Sequence, residues 1–250
     1  MNGNFRAAVA LALGLVLASA IWSWAFLAGK KLDERVKVTG SAKMRIKSDL
    51  IVWRTSVTSE AASLADAYAK LSRDLEKART FLTSHGVAAN HIVTSAVATT
   101  PIRRGARAGS DSEYGGSGEN LSGPITGYHL KQSLELRSTE IDKIAAVSRQ
   151  ITELVNQGIL LESEEPQYLY TKLADVKVEI LATAAKDALA RAQQIASSTG
   201  SRVGEVRSAD MGVLQITAAD STEISGYGMN DTKSLEKDIT AVVHLTFALK

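Results

Sequence analysis

Four histidines and one tight run of carboxylates are the residues of this chain best suited to chemistry. His85, His91, His129 and His244 are scattered, and none falls in a His-Glu-x-x-His or comparable ligand spacing. His85 lies at a helix end, where a cation favours the helix dipole. The chain has no cysteine, which excludes a catalytic thiol, a zinc–thiolate site and a disulfide. Glu162, Glu164 and Glu165 crowd together before Pro166 and invite an acid/base or calcium reading. A calcium loop needs a longer and more regular series of oxygens, so the cluster reads as a solvated loop edge. No Gly-x-Ser-x-Gly elbow and no phosphate-binding glycine loop is present. The sequence therefore assigns no catalytic residue, no metal and no cofactor.

Charge supplies a second kind of candidate. The segment 101–124 holds six glycines, with Arg103, Arg104 and Arg107 ahead of Asp111, Glu113 and Glu119. Its composition predicts a mobile loop, either a disordered hairpin tip or, were several copies to assemble, a segment that could line an opening or reach a neighbouring subunit by opposite-charge pairing. A second loop, 219–236, carries Gly226-Tyr227-Gly228. Over the whole chain 29 basic and 27 acidic residues are interleaved to a net charge of +2, without the basic stripe that tracks nucleic-acid phosphates.

Three helices and several strands must position these groups. Apolar spacing predicts a helix near 60–85 with Leu64, Tyr68, Leu71, Leu75, Ala78 and Leu82 inward, ending at Gly86. A second starts from Ser138 or Thr139 as N-cap, turns Ile141, Ile144, Ile151, Leu154 and Val155 inward, and ends at Gly158. A third runs from about Thr171 to Thr199 with Leu173, Val176, Ile180, Ala184, Ala188, Ala192 and Ile195 on one stripe, closed by Gly200. Period-two alternation marks strands at 36–39, 44–47, 50–58, 92–99, 128–137, about 158–170, 202–216 and from Ile239 to the last residue. The fold class is α+β. The order of helix, glycine, strand, long loop and strand occurs twice, which suggests two helix-plus-β-hairpin halves with an additional helix between them.

Ahead of these elements Ala7 to Ala28 form 22 residues without a charge. As a helix at 1.5 Å per residue this run spans about 33 Å, enough for a hydrocarbon core of about 30 Å. Ala7, Leu11, Leu15 and Ala28 would lie within a transmembrane signal-anchor, Trp22 and Trp24 would suit the interfacial belt, and Lys30 and Lys31 supply a charged stop. The alternative is a signal peptide cleaved at Ala18-Ser19-Ala20, releasing a soluble periplasmic protein. Only Arg6 precedes the helix while Lys30, Lys31 and Arg35 follow it, a flank count that favours a cytoplasmic domain. The expected organisation is a short N-terminus at 1–6, an anchor at 7–28, a linker at 29–35 and one domain at 36–250.

Val36-Lys37-Val38-Thr39-Gly40, followed by Ser48-Asp49 and a long strand, resembles the opening of the SIMPL-domain family. Ser84-His85-Gly86-Val87 with Asn90-His91-Ile92-Val93-Thr94-Ser95 resembles that family's helix end and next strand, and Ile125-Thr126-Gly127-Tyr128 its entry to the following one. Ala184-Ala185-Lys186-Asp187-Ala188, with Arg191-Ala192 to Gly200, is similar to its alanine-rich helix. The resemblance covers 36–250 and departs from the family at Ser48, where proline is usual, and in the retained anchor. It implies an exported bacterial envelope protein of the periplasmic immunogenic type, with no established catalytic activity and a tendency to form homo-oligomeric rings around a central opening. It therefore places the chain in the inner membrane as a single-pass protein, with residues 1–6 cytoplasmic and the domain in the periplasm. The partners it implies are the membrane and further copies of the chain, with no nucleic acid and with a client or envelope partner left open.

Overall fold

The computed structural model describes residues 11–24, 34–104 and 123–250. Residues 11–24 are helical (α1), and the remaining described chain is a mixed α+β fold with two sheets. It divides into two compact units, one drawn from Met1–Arg45, Lys172–Asn230 and Asp238–Lys250, the other from Ile46–Thr171 and Asp231–Lys237.

The second unit is built on β2 (Leu50–Ala61) and β5 (Ile125–Ser138), paired antiparallel from Ile51 opposite Ser138 to Ala61 opposite Tyr128. β3 (Ile92–Thr94) and β4 (Ala98–Arg103) lie along β5, while β6 (Leu160–Ser163) and β7 (Gln167–Leu169) lie along β2. Alternation puts Ile51, Trp53 and Val57 on one face of β2, all fully buried with Leu130, Leu134 and Leu136 of β5. Helix α2 (Leu64–Ser84) packs Ala67, Leu71, Ala78 and Leu82 into the same core.

Its start corrects the expectation of a helix from about residue 60. Glu60 and Ala61 remain in the β2 ladder, and Ser63 is the N-cap, accepting the Asp66 N–H. The inward stripe is also displaced, since Leu64 is 46% and Tyr68 56% exposed while Ala67 and Asp74 are buried. Small side chains at the contact let a helix approach a sheet closely, so alanine rather than tyrosine faces inward.

Ser138 likewise stays in β5. Helix α3 (Ile141–Gln150) follows Glu140, whose N–H bonds the Ser138 hydroxyl, and tightens into a 3-10 helix over Ile151–Gln157. That tightening leaves Val155 half-exposed instead of inward, whereas Ile144, Ile151 and Leu154 are buried as expected.

The first unit holds most of a five-stranded sheet of β1 (Arg35–Lys47), β8 (Val203–Met211), β9 (Gln215–Ala218), β10 (Met229–Asn230) and β11 (Glu236–Leu249), with helix α4 (Leu173–Ser198); the last two residues of β1 and the first two of β11 count with the second unit. β1 is continuous where two short strands were expected. β10, inside the 219–236 segment read as loop, pairs parallel with β9. The buried stripe of α4 is Val176, Ile180, Ala184, Ala188, Ala192 and Ala196, with Ile195 half-exposed in place of Ala196.

Gly40 explains the alanines. A Cβ there would stand 2.2 Å from the Ala184 carbonyl oxygen and 2.5 Å from the Ala188 nitrogen, so β1 and α4 meet backbone to backbone. The helices end where the glycines predicted, Gly86, Gly158 and Gly200 all having φ between 74° and 80°.

Candidate functional site

The N-terminal helix is the first candidate. Every residue of 11–24 is exposed, with Leu11, Leu15, Trp22 and Trp24 at 64% to 79%. Ala7 and Ala28, the expected ends of the anchor, lie outside the described residues. Among the described residues no helix is long and apolar enough to cross a membrane.

The second candidate is the arginine-led loop. β4 continues through Arg103, so the segment 101–124 begins as paired backbone, with Pro101 opposite Tyr128 on an edge strand that tolerates proline. Arg103 donates from Nη1 to the Gly123 carbonyl oxygen at 2.9 Å, and the Arg104 N–H bonds the Pro124 carbonyl. Gly123 is required there, because a Cβ would meet the Arg104 oxygen at 2.2 Å. Arg103 thus closes the base of the hairpin. Arg107, Asp111, Glu113 and Glu119 lie outside the described residues.

The acidic cluster separates on folding. Glu162 pairs with Lys131 at 2.5 Å, Glu164 with Arg54 at 3.7 Å and Glu165 with Lys233 at 3.3 Å. The Lys131 ammonium, assisted by the Ser56 hydroxyl, holds the Glu162 carboxyl below its ordinary value. The histidines are equally local. His85 caps α2, its Nδ1 2.8 Å from the Phe81 carbonyl and its ring stacked on Phe81 at 4.1 Å. His91 ends a 3-10 turn, His129 meets Glu60, and His244 meets Thr39. No group of three or more His, Asp or Glu able to hold a metal occurs among the described residues.

Sequence reading missed the two most buried charges. In the first unit the Asp238 carboxylate, 2% exposed, accepts Arg45 Nε at 3.0 Å, Arg45 Nη2 at 3.2 Å, Lys43 Nζ at 2.8 Å and the Asp220 N–H at 2.8 Å. Arg45 also bonds the Asp220 carboxylate. Asp220 holds the left-handed backbone conformation at φ 64°, which short acidic side chains tolerate, and so turns its N–H to Asp238. The Arg45 guanidinium, seconded by Lys43, holds the Asp238 carboxyl well below the carboxylate range against the opposing effect of burial. Asp238 in turn raises the Arg45 guanidinium above its usual value.

In the second unit Lys237, 2% exposed, donates from Nζ to the carbonyl oxygens of Tyr168 at 2.6 Å and Asp231 at 2.5 Å. Burial lowers its pKa, and Asp231 opposes that shift. Its parity with Ile239, Ala241 and Val243 was the available signal, since alternation puts position 237 on their core face. Both charges are held by hydrogen bonds to groups that the fold brings to them.

Two open cavities lie in the second unit. One, of about 530 Å³, runs between α2 and the 3-10 turn, with Phe81 and Leu154 flanked by Arg73, Glu76 and Lys77. The other, of about 440 Å³, lies at the start of α3 beside Lys47, Ser48, Asp49 and Lys143. Ser48, at the position where proline was expected, donates its N–H to the Leu235 carbonyl, a bond proline could not make. Its hydroxyl is buried without a partner.

Residues 36–247 match the family model of SIMPL, described as a protein of unknown function (DUF541). No curated protein matches. Among solved structures the chain is similar to an uncharacterized conserved protein from Listeria innocua, at 11% identity over 80% of this chain and 91% of that one, with a TM-score of 0.21.

Proposed function

The chain belongs to the SIMPL family, and from that premise we propose a membrane-anchored protein of the bacterial envelope that assembles with its own copies and acts as a scaffold rather than a catalyst. The observation that carries this reading is α1. Leucine, valine, isoleucine and tryptophan side chains stand out from every side of it, and no described residue covers them. A helix that is apolar all round needs an apolar surround. In sequence the uncharged run extends from Ala7 to Ala28, a membrane-spanning length.

On this reading residues 1–6 face the cytoplasm, 7–28 span the inner membrane, and 36–250 form a periplasmic domain. That domain consists of two helix-plus-hairpin halves, α2 with β3–β5 and α4 with β8–β11, with α3 between them. The copies close as a cyclic ring, because a ring presents every anchor to one membrane. The segment 101–124 of each copy, with Arg103, Arg104, Arg107, Asp111, Glu113 and Glu119, reaches a neighbour or the opening.

A second reading, a periplasmic binding module or chaperone acting as monomer or dimer, is favoured by the groove that Phe81 and Leu154 line beside the charged Arg73, Glu76 and Lys77. Mild detergent extraction of the full chain, followed by light scattering and negative-stain imaging of one fraction, separates the two. A discrete multi-subunit ring that resists carbonate extraction from membranes supports the scaffold. A monomer or dimer overturns the ring and leaves the binding module.

A further inference from the structure

β8 is an edge strand of uncommon openness. It pairs only with β11 among the described residues, and seven of its nine residues, Glu205 to Met211, are exposed. Val206 and Met211 are 53% and 62% exposed. A long uncovered edge is a template for another strand, and folded proteins ordinarily blunt it.

The backbone shows which groups are available. The Gly212 N–H bonds the Val242 carbonyl, and the pairing runs regularly from Met211 opposite Val243 to Ser208 opposite Thr246. Alternation in an antiparallel ladder therefore turns the N–H and C=O of Met211 and Ala209 to the open side. At the other end Arg202 exchanges both hydrogen bonds with Lys250 at 2.8 Å, which leaves Val203 facing outward.

The charges select one partner and one register. Along 202–211 they are Arg202, Glu205, Arg207 and Asp210. If a second copy of this strand lies antiparallel with Val206 opposite Val206, then Arg202 faces Asp210 and Glu205 faces Arg207, each contact occurring twice by symmetry. All four charges meet an opposite charge. The same register sets Val203 against Ala209, two residues whose backbone groups both face the open edge, so their hydrogen bonds can close.

Neighbouring registers lack this agreement. Centring on Arg207 or on Glu205 sets like charges face to face, and a shift by one residue pairs no charges at all. A parallel, in-register pair would place every charge against its own kind. The irregularities opposite Thr246, Phe247 and Leu249 twist the edge, and the register centred on Val206 is the one that sets all four charges against opposite charges.

We propose that β8 is a self-recognition edge, which pairs antiparallel with β8 of a second copy about a two-fold axis through Val206. The contact is isologous and complete at two copies. It rests on the self-assembly reading for its partner but is not the heterologous contact that closes a ring; it joins copies in pairs, and both anchors enter one membrane when its two-fold axis lies along the membrane normal.

The absence of cysteine makes the test direct. In the full-length chain in mild detergent, Val206→Cys places a thiol opposite its own copy, across a pair that makes no hydrogen bonds of its own, where Cα atoms approach to about 4.5 Å, within disulfide range. Mild oxidation is expected to give a covalent dimer as the major species. Ile224→Cys, more exposed than Val206 but off the edge, is expected to give only collisional background.

In the Val206→Cys background, Arg207→Glu sets acid against acid twice and is expected to weaken self-association about tenfold. Adding Glu205→Arg restores the opposition and the cross-link. If the full chain assembles but Val206→Cys yields no more dimer than Ile224→Cys, the edge contact is overturned and the assembly reading stands. If the double exchange fails to restore what Arg207→Glu removes, the register is overturned. A chain that sediments as a monomer at every concentration overturns both.

Discussion

Asp238→Asn removes the most heavily bonded carboxylate while leaving the shape of its site unchanged. The aspartate accepts four hydrogen bonds, three of them from the cations of Arg45 and Lys43, with 2% of its side chain exposed. Hydrogen bonds to charged groups contribute about 1.5–3 kcal/mol each in isolation but do not add, and removing one partner of a buried pair costs about 3–5 kcal/mol. Here the cations are 47% and 51% exposed and recover water, which places the loss at the lower end, about 3 kcal/mol.

At a urea slope of about 2–3 kcal/mol per molar, the midpoint followed by far-ultraviolet circular dichroism falls by about 1 M. The pH dependence is a separate check. A carboxyl held below its ordinary value contributes stability that is complete above the unfolded pKa, about 3.9, and is lost as pH falls through the folded value beneath it. The gap between the parent chain and Asp238→Asn is therefore constant from about pH 6 to 8 and closes below about pH 4. A midpoint that moves by less than about 0.2 M at pH 7, or a gap that widens on acidification, refutes the argument.

Three further outcomes follow from the geometry. Gly40→Ala places a methyl 2.2 Å from the Ala184 oxygen and must push α4 off β1, destabilising the chain by about 3 kcal/mol in the same urea assay. Ser48→Ala removes a buried hydroxyl that has no partner and should raise the urea midpoint, stabilising by about 1 kcal/mol, with the Ser48 N–H still bonded to Leu235. Leu15→Arg sets a charge near the centre of the uncharged run at a cost of about 2.5–3.5 kcal/mol to membrane insertion, so the carbonate-resistant fraction drops if this helix is an anchor and stays constant if the segment is cleaved or peripheral.

How much of this was legible in the sequence depends on the distance over which each decision is made. Helix ends at Gly86, Gly158 and Gly200 are fixed within one turn, and the glycines marked them. The face a helix buries is fixed by its sheet. In α2 the apolar spacing favoured Leu64 and Tyr68, yet the strand before it keeps Glu60 and Ala61 in the ladder and sets the phase, so Ala67 and Asp74 turn inward.

Gly40 shows the same limit at longer range. Its place in Val-Lys-Val-Thr-Gly was visible, but its reason is a helix that begins more than 130 residues later and meets it at Ala184 and Ala188. Asp187 lies between them, and its carboxylate accepts the Ser41 N–H at 2.9 Å. Two segments that resembled the family separately are therefore one contact, with glycine and alanine giving the approach and Asp187 holding the strand.

The buried charges were half legible. Alternation places Lys237 on the core face, but nothing local marks Tyr168 and Asp231 as its acceptors, nor Lys43 and Arg45 as the donors to Asp238. Spacing searches for catalytic sites find groups that are close in sequence. These groups are brought together only by the fold, and each is satisfied by a different segment. The same reasoning applies to the edge of β8. Its charges read individually as solvated side chains, and their complementarity becomes visible only once β11 is known to occupy one side of the strand and leave the other open.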